Sequence, residues 1–408
     1  MKTEIPEGYK NTPVGIIPEE WEVRKLGEIC TNFKSGQSIT SPRISYSDKY
    51  PVYGGNGLRG YTHSFTHSGD HILIGRQGAL CGNINFVTGE NFISEHAIAV
   101  KTDLNNDIRF WALKLDYLDL NRLSESSAQP GLSVEKLIKL KVSIPPLLEQ
   151  KKIAEILTMW DVAIEKQTLL IEKLELRKRA LMQQLLTGKK RLSGFEGEWK
   201  KFRLDNIGKT FNGLTGKSKD DFGSGKPYLS YVNIFNNTVV DTSVLEYVKV
   251  NDNETQNKVQ FGDVFFTVSS ETQHEVGMSS VLLDTVEDTY LNSFCFGFRL
   301  YDFDIVSPYF IGYYLRGSEF RKKILKLSQG ATRYNLSKNC IVKLQVKFPS
   351  LPEQTAIAEI LSTADQGIHV AKEKLEQLKK QKKGLMQVLL TGKKRVITTT
   401  NTQTNENI

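Results

Sequence analysis

The segment from Gly213 to Ser218 comes nearest in this 408-residue chain to a phosphate-binding loop. It ends in Gly216, Lys217 and Ser218, the residue types with which a P-loop binds nucleotide phosphates and Mg²⁺. A P-loop would also need a glycine at position 211, where this chain has Phe211, and no clear strand precedes the segment. The spacing therefore favours a surface turn over a nucleotide site.

Histidine and cysteine could bind a metal or carry redox chemistry. His63, His67 and His71 are spaced four residues apart, but Gly69 and Asp70 indicate a loop or hairpin rather than a shared helix face. The cysteines form no C-x-x-C pair, and they are Cys30, Cys81, Cys295 and Cys340. We expect polar surface histidines, and reduced cysteines in a cytoplasmic protein.

An adenine methyltransferase would need a glycine-rich cofactor loop and an Asn/Asp-Pro-Pro-aromatic motif. The nearest segment, Ser307-Pro-Tyr-Phe310, lacks the amide and the second proline, and it is expected to begin a helix. No nucleophile with its base is recognisable. We expect no catalytic residue, metal or cofactor in this chain. The net charge of +8 fits a nucleic-acid partner without requiring one, and no apolar run approaches the ~18 residues of a membrane span.

A long internal repeat dominates the sequence. Residues 132–192 align with residues 336–396 without a gap, and 29 of the 61 positions are identical. A shorter match lies upstream, where Trp21 corresponds to Trp199. Each half of the chain is therefore a variable block followed by a nearly constant block.

The constant blocks have the apolar spacing of coiled-coil helices. In the first copy the seam positions are Ile153, Leu157, Trp160, Ile164, Gln167, Ile171, Leu174, Lys178, Leu181 and Leu185. In the second copy they are Ile357, Leu361, Ala364, Ile368, Ala371, Leu375, Leu378, Lys382, Leu385 and Leu389. Gly188 and Gly392 mark the helix ends, and Ser350 with Glu353 has the form of a capping box. Antiparallel packing of the two helices would place the variable blocks at opposite ends. Gln167 and Lys178 could set the register or face a partner.

The variable blocks are rich in β-branched and aromatic residues between Gly, Asn and Ser turns, which predicts an α+β fold. Strands are predicted at residues 71–74, 97–100, 263–267 and 296–300, and helices at 108–118 and 308–329.

These features together resemble the specificity (S) subunits of type I restriction-modification enzymes. The resemblance covers residues 14–396, and it rests on the doubled P-x-L-x-E-Q-x-x-I-A-x-x-L block and on the lead-ins Ile17–Trp21 and Phe195–Trp199. Looser matches are Tyr53-Gly-Gly-Asn-Gly57, Gly60-Tyr61, Ile74-Gly-Arg-Gln-Gly78, Ser94-Glu-His-Ala97, Gln129-Pro-Gly-Leu-Ser133, Gly330-Ala-Thr-Arg333 and Asn335-Leu-Ser337.

The resemblance implies two globular α+β target-recognition domains, separated by two long antiparallel coiled-coil helices and related by an internal pseudo-twofold repeat. The predicted parts are a first recognition domain at 1–145, a first helix at 146–192, a second recognition domain at 193–349, a second helix at 350–396 and a disordered tail at 397–408.

The resemblance also implies a non-catalytic subunit that reads a bipartite target in double-stranded DNA. Each domain would read one half-site, and the coiled coil would fix the gap. The implied partners are two methylation subunits, which modify adenine N6, and two restriction subunits, which cleave DNA. Those partners would bind S-adenosylmethionine, ATP and Mg²⁺. A stand-alone bipartite DNA-binding protein is the alternative, and a nuclease or methyltransferase acting alone is a third.

Base edges are read by Arg at guanine, by Asn or Gln at adenine, and by apolar contact with the thymine methyl group. The candidate DNA-binding residues of the first domain are Asn56, Arg59, Arg76, Gln77, Ser94 and His96. Those of the second domain are Ser269, Ser270, Glu271, Thr272, Asn292, Gln329 and Arg333. Each could instead be an ordinary turn or surface residue. Lys189–Arg191 and Lys393–Arg395 could offset a helix dipole or also contact phosphate.

Overall fold

The computed structural model describes residues 5–78, 80–124, 131–330 and 332–397. The chain divides into two compact units. Unit 1 consists of residues 1–168 and 373–408, and unit 2 consists of residues 169–372. Each long helix is therefore shared between the units. The predicted disordered tail lies, from residue 398 onward, outside the described residues, and the predicted domain boundaries stay a prediction.

Unit 1 contains a four-stranded antiparallel sheet of order β4-β10-β7-β8 and a three-stranded sheet of order β6-β5-β9. Its strands are β1 (Tyr9–Thr12), β2 (Gly15–Pro18), β3 (Glu22–Lys25), β4 (Cys30–Ser35), β5 (Tyr50–Gly54), β6 (Gly57–Thr62), β7 (His71–Gly75), β8 (Ile84–Val87), β9 (Phe92–Ile93), β10 (Ala97–Thr102) and β11 (Lys141–Ile144). Its helices are α1 (Ile108–Tyr117), α2 (Val134–Ile138) and part of α3 (Leu147–Leu185). The buried side chains of Phe110 and Trp111 in α1 join the strand residues Ile72, Ile74 and Ile98 in one core.

Unit 2 repeats this plan, with sheets of order β13-β20-β16-β18 and β15-β14-β19. Its strands are β12 (Lys200–Arg203), β13 (Gly208–Asn212), β14 (Phe222–Leu229), β15 (Glu246–Val248), β16 (Val264–Thr267), β17 (Ser269–Ser270), β18 (Ser279–Val281), β19 (Tyr290–Leu291), β20 (Cys295–Leu300), β21 (Tyr334–Asn335) and β22 (Gln345–Phe348). Its helices are α4 (Tyr231–Asn236), α5 (Pro308–Arg316), α6 (Ser318–Leu327), α7 (Lys338–Ile341) and part of α8 (Leu351–Leu389). The fold therefore extends the repeat into blocks whose sequences show little of it.

The four predicted strands are confirmed as β7, β10, β16 and β20, and the predicted helix at 108–118 is confirmed as α1. The single helix predicted at 308–329 is wrong, because Gly317 is extended (φ −64°, ψ 150°) and separates α5 from α6. Glycine is a poor helix former. The guanidinium of Arg316 donates to the carbonyl oxygens of Ile234 (2.9 Å) and Phe235 (2.8 Å), which holds the end of α5 in place.

The seam residues of α3 and α8 are the buried or half-buried ones, and the helices pack antiparallel within each unit. In unit 2, Lys178 near the end of α3 forms an ion pair with Asp365 near the start of α8. In unit 1, Lys382 near the end of α8 lies 2.5 Å (Nζ to Oδ1) from Asp161 near the start of α3. Antiparallel packing is therefore confirmed, and the two seam lysines pair across the helices.

Two buried glutamates join the repeats within the units. Glu149 is 2% exposed and accepts hydrogen bonds from Arg395 Nε (2.7 Å) and from Trp21 Nε1 (3.0 Å). Glu353 is 1% exposed and accepts from Arg191 Nε (2.6 Å) and Nη2 (2.7 Å). The glutamate of each E-Q motif therefore binds the arginine that ends the other repeat.

These ion pairs overturn one prediction and narrow another. The capping box predicted for Ser350 is wrong, because the Glu353 side chain binds Arg191 instead of the helix start. Arg191 and Arg395 serve the fold, so only the lysines beside them stay candidates for phosphate contact. The predicted helix ends are confirmed, since Gly188 (φ 69°) and Gly392 (φ 74°) take the left-handed conformation that favours glycine there.

Lys114 of α1 is a buried cation in unit 1. Its ammonium donates a hydrogen bond to Ser143 Oγ (3.0 Å) and another to the carbonyl oxygen of Leu390, just beyond α8. It also lies 5.6 Å from the centroid of the Trp21 ring. Burial lowers the pKa of Lys114 to about 8, because the surroundings solvate the charged form less well than water does.

This burial makes stability depend on pH. Below pH 8 folding must bury a charged ammonium, whereas the unfolded lysine keeps its ordinary pKa near 10.5. The free energy of unfolding should therefore rise by about 3 kcal/mol between pH 8 and pH 10.5, relative to the Lys114→Met variant. Urea unfolding of both proteins over this range measures the difference, and parallel pH curves would contradict the prediction.

Candidate nucleic-acid interface

In unit 1, several loops meet at one end of the four-stranded sheet. Arg76 N, after β7, donates to His96 O (3.0 Å), and Ser94 N donates to Tyr53 O (2.8 Å). Leu132 N donates to Arg76 O (2.9 Å), which adds the segment before α2. We name residues 54–59, 76–77 and 94–96 loop cluster 1, and it contains all the candidate residues of the first domain.

Unit 2 builds the same frame from different residues. Val268 N donates to Phe294 O (3.0 Å), Asn292 N donates to Leu229 O (3.0 Å), and Leu336 N donates to Val268 O (2.9 Å). These three bonds correspond one for one to those of unit 1. Loop cluster 2 consists of residues 230–235, 268–275, 292–294, 329–330 and 332–335, and it contains all the candidate residues of the second domain.

Glycine allows the loops of cluster 1 to pack closely. A Cβ atom on Gly55 would lie 2.6 Å from His96 O and 3.1 Å from the Cα of Gly75. Neither atom belongs to a side chain that could move aside. Any larger residue at position 55 would therefore push the β5–β6 turn away from the two loops below it.

The candidate side chains of cluster 1 differ in exposure. The exposed ones are Asn56, Arg59, Gln77 and His96. Arg76 is half-buried, and its Nη1 donates to Ser35 Oγ (3.3 Å). Ser94 is fully buried, and its Oγ has no hydrogen-bond partner among the described residues. Ser94 therefore lies behind the surface that the other five form.

Cluster 2 also combines exposed and engaged side chains. The exposed ones are Glu271, Thr272, Gln329 and Arg333. Ser269 is buried, whereas Ser270 and Asn292 are half-buried. Ser270 Oγ donates to Glu275 Oε2 (3.2 Å), and Thr272 Oγ1 donates to the same oxygen. Asn292 Oδ1 accepts from Phe294 N (2.8 Å), so this amide oxygen holds the loop that carries Phe294.

Sequence reasoning missed the aromatic side chains of cluster 2. Tyr231, Phe235 and Phe294 line a cleft of about 390 Å³ together with Ser269, Ser270, Glu271, Glu275 and Arg333. The Tyr231 and Phe235 rings stack with centroids 5.9 Å apart, and Phe294 is 59% exposed. Burial raises the pKa of Tyr231, whose hydroxyl donates to Ser269 O (2.9 Å). The available sequence signal for Phe294 was an aromatic residue two positions after the candidate residue Asn292.

The remaining residues that were candidates for nucleotide or metal binding make contacts within the protein. Lys217 of the P-loop-like segment lies 2.5 Å (Nζ to Oε2) from Glu254. The rings of His67 and His71 meet edge to face at 5.2 Å, and burial lowers the pKa of both. Among the described residues, no group of three or more His, Cys, Asp or Glu side chains is arranged to hold a metal ion. No helix in this part of the chain is long and apolar enough to cross a membrane.

Curated proteins that match this chain include specificity subunits of type I restriction enzymes. The specificity subunit of the type I restriction enzyme EcoprrI from Escherichia coli is 41% identical over 159 residues, which are 38% of this chain and 39% of that protein. The specificity subunit of MjaVIII from Methanocaldococcus jannaschii is 26% identical over 416 residues, 96% of each chain.

Solved structures share the fold. The S subunit of a type I restriction-modification system from M. genitalium superposes with a TM-score of 0.60 at 16% identity, covering 95% of this chain and 98% of that one. A chain from a structural study of type I system assembly gives a TM-score of 0.56 at 16% identity, covering 92% and 99%. The family model for the type I restriction modification DNA specificity domain matches residues 18–176 and 196–380. Since the matches fall in both halves and cover most of the chain, this protein belongs to the type I restriction-modification DNA specificity family.

Proposed function

We propose that this chain is the specificity subunit of a type I restriction-modification complex and reads a bipartite target in double-stranded DNA. The observation that carries the proposal is the loop frame built twice, with the same backbone hydrogen bonds and different side chains. A shared frame gives both units the same approach to a duplex. Different side chains on that frame give each unit its own half-site.

The side chains of the two clusters suit different bases. Cluster 1 presents Arg59, Arg76, Asn56 and Gln77, which match the hydrogen-bonding edges of guanine and adenine in the major groove. Cluster 2 presents Arg333 beside a carboxylate and aromatic rings. We therefore infer that the two half-sites differ in sequence.

The proposed partners are two methylation subunits and two restriction subunits, one of each for each copy of the repeat. S-adenosylmethionine, ATP and Mg²⁺ would bind to those subunits, which would methylate adenine N6 and cleave DNA. Reduced cysteines and a DNA partner both fit the cytoplasm, which is the proposed location.

The purified chain tests this function when it is assayed alone and with its methylation subunits. We expect selection from random duplexes to yield a two-part motif, and methylation of that motif only when the methylation subunits are present. Robust S-adenosylmethionine-dependent methylation by the chain alone would contradict the proposal. A single uninterrupted motif would contradict it as well.

Arg76→Ala and Arg333→Ala should each weaken binding to the target by about 1–3 kcal/mol if the arginine binds a base in two places. Lys393→Ala should instead weaken binding to every sequence. It should also reduce the salt dependence of binding, because a variant with one phosphate contact fewer releases fewer counterions when it binds DNA. Titration of target and random duplexes at several salt concentrations separates the cases. Equal losses on both duplexes would make the two arginines phosphate contacts.

A further inference from the structure

Unit 2 departs from unit 1 at the first loop of its cluster. In unit 1 the β5–β6 turn packs directly on the neighbouring loops through Gly55. At the corresponding place in unit 2, two residues after Leu229, the chain begins helix α4 at Tyr231. The cleft of about 390 Å³ lies between α4 and the loops that follow β16 and β19.

The walls of this cleft are aromatic. Tyr231 and Phe235 lie one turn apart on α4 with their rings 17° from parallel, and the hydroxyl of Tyr231 is fixed by its bond to Ser269 O. Phe294 is 59% exposed, more than any other phenylalanine of the described residues. Such ring faces bind a flat π-system by stacking.

The polar groups of the cleft select among flat ligands. The exposed carboxylate of Glu271 repels phosphate, but it accepts hydrogen bonds from the exocyclic amino group of cytosine or adenine. Arg333 can donate to a ring nitrogen or carbonyl oxygen of the same base. The Ser270 hydroxyl is oriented by its hydrogen bond to the carboxylate of Glu275.

The cleft is open to solvent, and its aromatic lining favours one of two ways of reading a base. The edge of a stacked base pair presents a nearly flat surface in the groove, whereas a base turned out of the helix can enter a pocket and stack there. We infer that this cleft binds one unstacked nucleobase, an adenine or a cytosine, from the half-site that unit 2 reads. This inference rests on the proposed function and adds a ligand to it.

A scan of mismatched duplexes tests the inference with the full-length chain. A mismatch already weakens pairing, so it lowers the cost of turning a base out. In the target found by selection, one base pair of the second half-site at a time is replaced by a mismatch, by changing either strand. We expect binding to tighten by about tenfold or more at one position, with the base that enters the cleft unchanged.

Variants at Phe294 show whether the cleft causes this effect. Phe294→Ala should abolish the tightening and weaken binding to the matched target by about tenfold or more, because a stacking contact is lost. Phe294→Tyr keeps an aromatic ring, so it should retain both the tightening on the mismatched duplex and the binding to the matched target. Tyr301→Ala is the control. Tyr301 is also 59% exposed, but it lies just after β20, whereas Phe294 lies just before this strand.

Specific binding without tightening at any position would overturn the inference and leave the proposed function intact. Tightening that persists in Phe294→Ala would overturn it too. If Phe294→Ala removes only the preference for thymine over uracil, Phe294 contacts a thymine methyl group in the groove and the cleft holds no base. Failure of the chain to bind any sequence selectively would overturn the proposed function and this inference together.

Discussion

Arg395→Ala is expected to lower the free energy of unfolding by about 3–5 kcal/mol, because it leaves the Glu149 carboxylate buried without its cation. Two nitrogens of Arg395, Nε and Nη2, donate to this carboxylate, and the Glu149 side chain is 3% exposed. Trp21 Nε1 alone would remain as a donor to it. Arg191→Ala should act in the same way on Glu353 in unit 2.

Urea unfolding, monitored by circular dichroism, measures this loss of stability. Two further variants test whether the unpaired buried charge causes it. Glu149→Gln in the Arg395→Ala background removes the buried charge and keeps an acceptor for Trp21, so it should restore much of the stability. Arg24→Ala breaks an exposed ion pair with Glu22 and should cost less than about 1 kcal/mol. A loss for Arg395→Ala as small as that for Arg24→Ala would show that the buried pair contributes little.

Exchange of residues 17–145 for the corresponding block of another specificity subunit should change one half-site completely and leave the other unchanged. Specific and non-specific sites commonly differ in affinity by about 10³–10⁷, so the change in sequence preference should be very large. The block contains both β3 and β11, which pair with each other, and all strands of the two larger sheets of unit 1, so only the two-stranded β1–β2 sheet is divided.

Selection of binding sites from a random pool measures the result of the exchange. The reciprocal exchange of residues 195–349, which contains the paired strands β12 and β22, is the matched experiment and should alter only the other half-site. Simultaneous change of both half-sites in either chimera would show that the two loop clusters do not read DNA independently.

The long helices could be predicted from sequence because a seam repeats a simple physical requirement over many residues. An apolar face of period 3.5 has few alternatives to a coiled coil, and Gly188 and Gly392 ended the helices as predicted. The repeat left the direction of packing open, and the antiparallel packing that the resemblance implied is supported within the units by Lys178 with Asp365 and Lys382 with Asp161. The break at Gly317 was missed, since a single glycine does not by itself end a helix.

The site could be predicted only in part, because its members are distant in the sequence. Residue type and loop context pointed to Arg76 and His96, whose segments meet through a backbone hydrogen bond that no local pattern shows. The cleft depends on α4 replacing a turn, so Tyr231 and Phe235 carried no signal in the sequence. Glu353 looked like a helix cap, whereas its actual partner Arg191 lies 162 residues away.

If this chain determines a two-part DNA target, the pattern of modified bases in the host genome depends on its gene. Genomic DNA is sequenced for N6-methyladenine with the gene intact, with the gene deleted, and with the gene restored. We expect one methylated motif, with two defined parts and an unspecified gap, that disappears on deletion and returns on restoration. Methylation that is unchanged by the deletion, or loss of a motif without a gap, would contradict it.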